Sequence, residues 1–401
     1  MGGGVAGLSC AQALRAQGRR VLLLEAGRCG EGASGRSSGF ITPDSELELR
    51  DLVLAHGPDT AKRLWDFAAG GVEAIRANIA RHEIDCDLQV IDALFVASSR
   101  QGAEVVRDEH ETRDRLGYRS ELHDRQALRA ILGAEGYFGG VRATGTFAIN
   151  AWAYCQGLRE ALRHSGVQIH EGSPVTEVGE GRVQANGRTV RAEVVVLCLD
   201  RFLPELGLLP QAVYHAQTFL AVSAPLSAAQ VAAIFPEKRL MLWDTDLVYQ
   251  YLRLTGDDRL LIGAGSLLET YARKERPLAP RVLRAMRAWL ARTLPQVPVR
   301  LESFWPGLIG VSKDFLPLAA RGVLHPSICV VSGAAGLPWA AALGAYMAEA
   351  IGSGRSDLDK ELDPWRHFPV GERVQRVLGK PGAFAFAHGL LKLRQRPHRR
   401  R

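Results

Sequence analysis

The sequence predicts an α/β protein in which a discontinuous Rossmann-like dinucleotide-binding domain is joined to a mixed α+β domain with an antiparallel sheet. Three observations predict it. Gly2-x-Gly4-x-x-Gly7 opens a proline-free stretch, Leu8 to Gln17, rich in alanine and leucine, which reads as a glycine turn running into a helix. The run from Arg20 to Glu25 reads as a buried parallel strand ending in an acid. Glu25 lies 18 residues past Gly7, close to the roughly 20-residue spacing of an acid that takes ribose hydroxyls. Far downstream, the buried strand from Ser327 to Ser332 runs into Gly333-Ala-Ala-Gly336 and a small-residue helix reaching Ile351.

In such a turn the first glycine permits the tight bend and the second lets the backbone approach a pyrophosphate. The third lets helix and sheet pack closely. Gly2, Gly4, Val5, Ala6 and Gly7 are therefore the candidate phosphate-holding positions, where a helix N-terminus offers free N–H groups and its positive dipole end. A flexible glycine-rich leader is the competing reading of the glycines alone. The strand and acid that follow argue against it, although only Met1 precedes the turn where a hydrophobic strand is expected.

The remaining elements follow in order. Gly30 to Gly39 holds four glycines and three serines besides Arg36, a composition that makes a loop rather than a core helix; placed after the ribose acid, such a loop can wrap a long cofactor. Apolar residues at three- and four-residue spacing from Ser45 to His82 predict two helices joined near Pro58. Asp85 to Ser98 reads as strands, followed by a polar helix through Leu116, a short helix from Asp124, and a turn over Gly136 to Val141. Ala151 to His164 is an amphipathic helix. Val167 to Val178 reads as strand, and Arg182 to Val190 as a hairpin across Asn186-Gly187, a type I′ turn signal. Ala192 to Cys198 is another buried strand, Tyr214 to Ser266 is β-rich, and Pro280 to Leu294 is helical. These segments group as a nucleotide domain of 1–45, 145–212 and 318–365. A substrate domain takes 46–144 and 213–317, leaving 366–401 as a C-terminal helix and basic tail.

Composition excludes several classes. No apolar run approaches the ~20 residues that span a bilayer, and the six cysteines show no CxxC or metal-ligand spacing. Buried, reduced thiols in a cytoplasmic protein are the expected reading. The net charge of +7 owes much to the acid-free tail from Lys392. That tail reads as a solvated extension, or as a weak membrane-surface anchor beside Phe384, Phe386, Leu390, Leu391 and Leu393. No nucleic-acid module is present.

Taken together, the chain resembles the D-amino-acid oxidase / glycine oxidase superfamily of flavoproteins, and within it the gamma-glutamylputrescine oxidoreductase-like members. The resemblance runs nearly end to end. It is carried by the Gly2–Gly7 turn, Glu25-Ala26, Gly32-Ala-Ser-Gly-Arg36, Ile84-Asp-Cys86, Gly139-Gly140 and Gly157-Leu158. It continues through Gly166-Val-x-Ile-x-Glu171-x-Ser-x-Val175, Tyr251-x-Arg253-Leu, Arg259-Leu-Leu-Ile-Gly263, Trp305-x-Gly307, Asp314-x-Leu316-Pro317 and Ser332-Gly333-x-x-Gly336. The resemblance implies FAD. Gly2 to Gly7 would hold the pyrophosphate, Glu25 and Ala26 the adenosine ribose, and Val175 the adenine through its backbone. Arg28, Ala33, Ser34, Arg36, Ser37 and Ser38 would reach toward the flavin, with Gly307. The turn of Gly333, Ala335, Gly336 and Leu337 would place a second helix N-terminus beside the flavin O2. Histidines and cysteines that bind flavin covalently in some relatives are absent from the matching stretches, so FAD is expected to be non-covalent.

The implied chemistry is hydride removal from a carbon bearing nitrogen, delivered to flavin N5, with oxygen or another acceptor reoxidising the flavin. Amino-acid oxidases of this group usually carry an arginine after Gly-Leu, to clamp a carboxylate; here Ile309 follows Gly307-Leu308, which favours a small amine. Tyr251 is a candidate catalytic side chain. Lys313 is another, or a surface lysine, and Trp339 either stacks near the flavin or fills core. Asp244 and Asp246, near Tyr249 and Tyr251, form either an acidic, aromatic amine pocket or an exposed turn. Two other functions stay open: an amino-acid or 2-hydroxy-acid dehydrogenase passing electrons to a quinone, and a flavin-poor binding or scaffold protein.

The absent first strand carries its own expectation. It should stand between Arg20–Glu25 and Ser327–Ser332, and unpaired backbone on both sides costs roughly 1–3 kcal/mol per dry group. The natural chain is therefore expected to carry about six to ten further residues, mostly Val and Ile, and the chain as given to hold FAD poorly or to show a one-strand gap.

Overall fold

The structure, a computed structural model, describes residues 1–44, 46–265, 275–276, 278–354, 357–368 and 370–394. Its first helix, Val5–Ala16, starts directly from Gly4, whose backbone is extended and whose position supplies no side-chain cap. Leu22–Leu24 follows as a short buried strand, parallel to Gln168–His170. Val195–Cys198 runs parallel to Ile328–Ser332, which pairs on its other edge with Leu318–Arg321.

The two parallel pairs are joined by the chain's first residues. The Met1 amino group donates to the Val196 carbonyl at 2.7 Å, and Cys198 N donates to the Met1 carbonyl at 2.9 Å. Gly2 N donates to the Leu24 carbonyl at 2.9 Å. The strand across from Leu22–Leu24 is therefore Val195–Cys198, and the expected neighbour, Ser327–Ser332, lies one place further out. The correction has a simple cause. Both strands are equally apolar, so their composition could not rank them.

A second, eight-stranded sheet runs Leu301–Val311, Tyr214–Pro225, Arg259–Ala264, Tyr251–Leu254, Leu240–Asp244, Asp92–Val96, Gly139–Ala143, Glu121–Asp124. It is antiparallel except where Leu240–Asp244 meets Asp92–Val96. Its strands come from two stretches far apart in sequence. The Gly136–Val141 segment, expected as a turn, supplies one of them: Gly139 and Gly140 sit in the ladder opposite Asp124 and His123. Burial on a wide sheet overrides local glycine preference there.

Helices cover these sheets. Leu49–His56 and Pro58–His82 meet at Gly57, near Pro58 as expected. The Asp124 carboxylate caps the Arg125–Ile131 helix by accepting from the Gln126 and Ala127 amides. The 182–190 hairpin turns through Asn186 at φ 48° and Gly187 at φ 71°, the left-handed pair that a type I′ turn requires. The expected strand from Val167 to Val178 is broken instead: the backbone turns at Gly172, φ 60°, and Glu171 accepts from Cys29 N at 2.7 Å.

The Glu372–Arg394 helix is kinked at Gly379. Phe384 is fully buried and stacks on Tyr214 with ring centroids 5.4 Å apart. Of the other residues named for an anchor, Leu390 is half-buried and Phe386 stays 48% exposed; the side chains of Leu391 and Leu393, and residues 395–401, lie outside the described residues. Among the described residues no helix is long and apolar enough to cross a membrane.

Candidate cofactor and substrate site

A cavity of 590 Å³ runs from the first glycine turn to the start of the Leu337–Ser353 helix. At one end the turn leaves no room for side chains. A Cβ on Gly7 would lie 1.8 Å from the Gly2 carbonyl oxygen, far inside contact distance, so only glycine allows the bend. Glu25 lines the cavity here. Its Oε2 accepts from Gly3 N at 2.6 Å and its Oε1 from Gly27 N at 2.8 Å. The carboxylate is thereby aimed by backbone on both sides, and each oxygen keeps a lone pair for a ligand hydroxyl. Ser34 folds over the helix start, its Oγ accepting from Val5 N at 3.1 Å. Gly2, Gly4, Ala6, Ala26, Ala33, Ser34, Arg36, Ser37 and Val175 all line the groove. Val5 is buried beneath it.

The far end is a second helix start. Gly336 takes φ 105° and caps the Leu337–Ser353 helix without a side chain, so the first-turn amides face the cavity with their dipole end. Ala335, Gly336 and Leu337 line this end; Gly333 makes the turn at φ 66° but stays outside the lining.

A smaller chamber of 170 Å³ opens there. Ala33, Arg36, Ser37, Ile309, Ala335, Gly336 and Leu337 line both spaces and form the neck between them. Beyond the neck stand Ser38, Gly307, Phe40, Thr218, Trp243, Tyr249 and Tyr251, with two carboxylates, Asp44 and Glu46. The Tyr251 hydroxyl lies 3.2 Å from Thr218 Oγ1, and burial pushes the phenol up to about 12. Tyr249 donates to Glu46 Oε1 at 3.2 Å, and its own acidity is suppressed by burial and then by that carboxylate. Burial raises Asp44 to about 6, while Arg113, 3.9 Å away, opposes the rise. Behind this wall Trp243 Nε1 donates to Glu48 at 2.7 Å, and Arg113 bridges Glu48 and Glu109.

Several expected site residues stand elsewhere. Arg28 is exposed and outside both linings, its amide bound to Glu31. Lys313 is buried with its ammonium 5.2 Å from the Phe368 ring and 5.9 Å from the Tyr214 ring, away from groove and chamber. Trp339 is core: it packs on Phe67 and donates to the Pro43 carbonyl at 3.2 Å. Asp244 and Asp246 do not line the chamber either. Asp244 accepts from the amides of Asp246 and Gln250, and Asp246 accepts from Ser98 at 2.5 Å. The acids that do line it, Asp44 and Glu46, lie in the linker after Thr42-Pro43. An acid beside a proline carries no signal by itself, so sequence reasoning passed over them.

The groove suits a long ligand with phosphates near the first turn and a charge-accumulating end near Gly336; the chamber suits a small molecule reacting at the neck. Comparisons with known proteins agree with that geometry. The family model described as DAO, FAD dependent oxidoreductase, matches residues 1–350. "Probable oxidoreductase OrdL" of Haemophilus influenzae is 28% identical over 367 residues, 88% of this chain and 81% of that protein. Gamma-glutamylputrescine oxidoreductase of Escherichia coli is 28% identical over 352 residues, 84% of this chain and 78% of the other. Among solved structures, glycine oxidase from Geobacillus kaustophilus superposes with a TM-score of 0.77 at 18% identity, covering 92% and 97% of the two chains.

Proposed function

The chain belongs to the DAO family of FAD-dependent oxidoreductases, and from that premise we propose that it oxidises a C–N bond of a small amine held in the chamber, with FAD lying non-covalently along the groove. The groove's residues fit the cofactor. Gly2, Gly4 and Gly7 form a turn in which a Cβ on Gly2 or Gly7 would collide with the carbonyl of Cys198 or Gly2, two helices start at the cavity from glycines that supply no side-chain cap of their own, and Glu25 is held toward it by two amides. When bound, FAD supplies the two-electron acceptor.

The protein's own residues do the rest. Amides at the first turn would take the pyrophosphate, Glu25 a ribose hydroxyl pair, and the backbone at Val175 the adenine. The helix start at Gly336 would stabilise negative charge that grows at its end of the groove. In the chamber a neutral amine would lose a hydride from the carbon beside nitrogen, leaving an iminium that water hydrolyses to carbonyl and amine. Ile309 at the neck supports an amine over an α-amino acid, since it offers nothing to a carboxylate. That is the observation carrying the proposal. Among the described residues Arg36 is the one cation on the chamber lining, and Glu275 binds it at 2.7 Å, which ranks the amino-acid or hydroxy-acid dehydrogenase reading second.

Among the described residues neither histidine nor cysteine lines the chamber, and Cys198 lines the groove beside Gly2, at the proposed phosphate end; this supports non-covalent FAD. Six free cysteines support a cytoplasmic setting. Oxygen uptake and artificial-acceptor reduction, assayed against amines, amino acids and 2-hydroxy acids, test the proposal. Faster turnover of a simple amino acid than of every amine contradicts it.

A further inference from the structure

We infer that Asp200 is a positioning residue for the reaction: its carboxylate holds the Gly310 amide, and so fixes Ile309 at the neck where the reacting carbon would meet the cofactor. The role rests on the oxidation reading, and no spacing in the sequence pointed to it.

The first support is the way Asp200 is held. Just past the Val195–Cys198 strand, the chain turns through Asp200 at φ 49° into the short helical turn Asp200–Leu206. Aspartate tolerates this left-handed backbone better than most residues, yet the conformation persists only where its surroundings enforce it. Asp200 Oδ2 accepts from Gly310 N at 2.8 Å, and the Asp200 carbonyl accepts from Ser332 Oγ at 2.8 Å. One residue on, the Arg201 carbonyl lies 3.2 Å from Nε2 of His215, the ladder partner of Gly310.

The second support is how closely the two elements meet. A Cβ on Gly310 would lie 2.7 Å from Arg201 N and 2.8 Å from Asp200 Oδ1. Both distances are inside contact, so glycine is what lets the helical turn lie on the strand. That strand, Leu301–Val311, is an end member of the eight-stranded sheet and pairs with Tyr214–Pro225. Asp200 thus ties an amide of the end strand to the parallel pair Val195–Cys198 and Ile328–Ser332.

The third support is what the tie fixes. Asp200, Ser332, Leu308 and Ile309 line one groove, and Ile309, next to Gly310 in the chain, also lines the chamber. Ile309 therefore takes its place at the neck beside an amide that Asp200 holds. Removing the acceptor would orphan that amide and let the neck shift. A displacement of about 1 Å from reactive geometry can cost on the order of 100-fold in rate.

The test replaces Asp200 in the flavin-loaded enzyme. Asp200→Gly keeps the left-handed turn but removes the acceptor, whereas Asp200→Asn keeps an acceptor and a tolerated backbone. Anaerobic flavin reduction is followed with whichever amine, amino acid or 2-hydroxy acid reduces the wild type fastest. Asp200→Gly should lower the limiting reduction rate by about tenfold or more, with the half-saturating concentration changed by less than about threefold. Asp200→Asn should restore most of the rate. Deuterium exchange across 307–311 should be faster in Asp200→Gly than in Asp200→Asn. A wild-type limiting rate in Asp200→Gly, or a rate lost equally in both variants, overturns the positioning role. Unchanged exchange in Asp200→Gly overturns the tie to Gly310, and loss of flavin from that variant makes Asp200 a cofactor-binding residue instead. Reduction by amino acids alone overturns the amine reading, and the same comparison of variants then still decides the role of Asp200.

Discussion

Arg253 donates through Nε to the carbonyl of Ser38 at 2.7 Å, fastening the second glycine-rich loop to the large sheet. The same guanidinium donates to the Ile149 carbonyl at 2.8 Å and the Leu254 carbonyl at 2.9 Å. Arg253 is buried at 3% exposure, and burial lowers it to about 10, so it stays protonated at neutral pH. A cation fixed by three carbonyls sets where the 33–38 loop sits over groove and neck. The groove-lining loop and the eight-stranded sheet are thus coupled through one side chain.

Arg253→Met should therefore destabilise the protein by about 3 kcal/mol, since several buried carbonyls lose their donor. Arg253→Lys should recover part of it. Urea unfolding measures the loss, and flavin retention after desalting should fall in the same order.

Glu25→Ala removes the acceptor aimed at the ribose position and orphans the amides of Gly3 and Gly27. FAD affinity should drop roughly 10- to 100-fold, the equivalent of about 1–3 kcal/mol. Flavin content per protein after extensive dialysis checks it, and wild-type retention would contradict the assignment.

Ile309 lines both groove and chamber, so Ile309→Arg places a guanidinium at the neck. Preference should move from amines toward carboxylate-bearing substrates, read as the kcat/KM ratio of a simple amino acid to an amine of equal length. An unchanged ratio would remove Ile309 from the site.

Asp44 should make cation binding pH-dependent. Burial raises it to about 6, and Arg113 with the Thr42 hydroxyl opposes the rise while Glu109 adds to it. Glu48 and Glu46 share its surroundings. Below about pH 6 the chamber loses a negative charge, so inhibition by tetramethylammonium, whose charge is permanent, should weaken as pH falls through that value. Asp44→Asn should flatten this profile. The stability consequence has the opposite sense: between 3.8 and about 6 the native state binds the proton more tightly than the unfolded chain. Asp44 therefore lowers stability as pH rises across that window.

The groove proposed for the cofactor was legible in the sequence because its parts are local. Gly2, Gly4, Gly7 and Glu25 act through backbone conformation and short spacing, and the 33–38 loop through composition. The strand, glycine turn and helix near Gly336 were legible for the same reason. The substrate chamber was not. Asp44 and Glu46 gain meaning only when a linker folds against sheet strands some two hundred residues away, where Tyr249 meets Glu46. Lys313 stands apart from groove and chamber beside Phe368, which arrives from beyond the Leu337–Ser353 helix and which local sequence could not bring to it. Trp339 became core through the Pro43 carbonyl, again a distant partner.

Anaerobic mixing of the purified protein with a small amine, followed through the visible flavin absorbance, tests the central claim most directly. The account predicts that the protein carries bound flavin released by denaturation, and that small amines bleach the band faster than glycine or any simple D-amino acid. Protein that binds no flavin, or flavin bleached by amino acids while every amine leaves it oxidised, would contradict it.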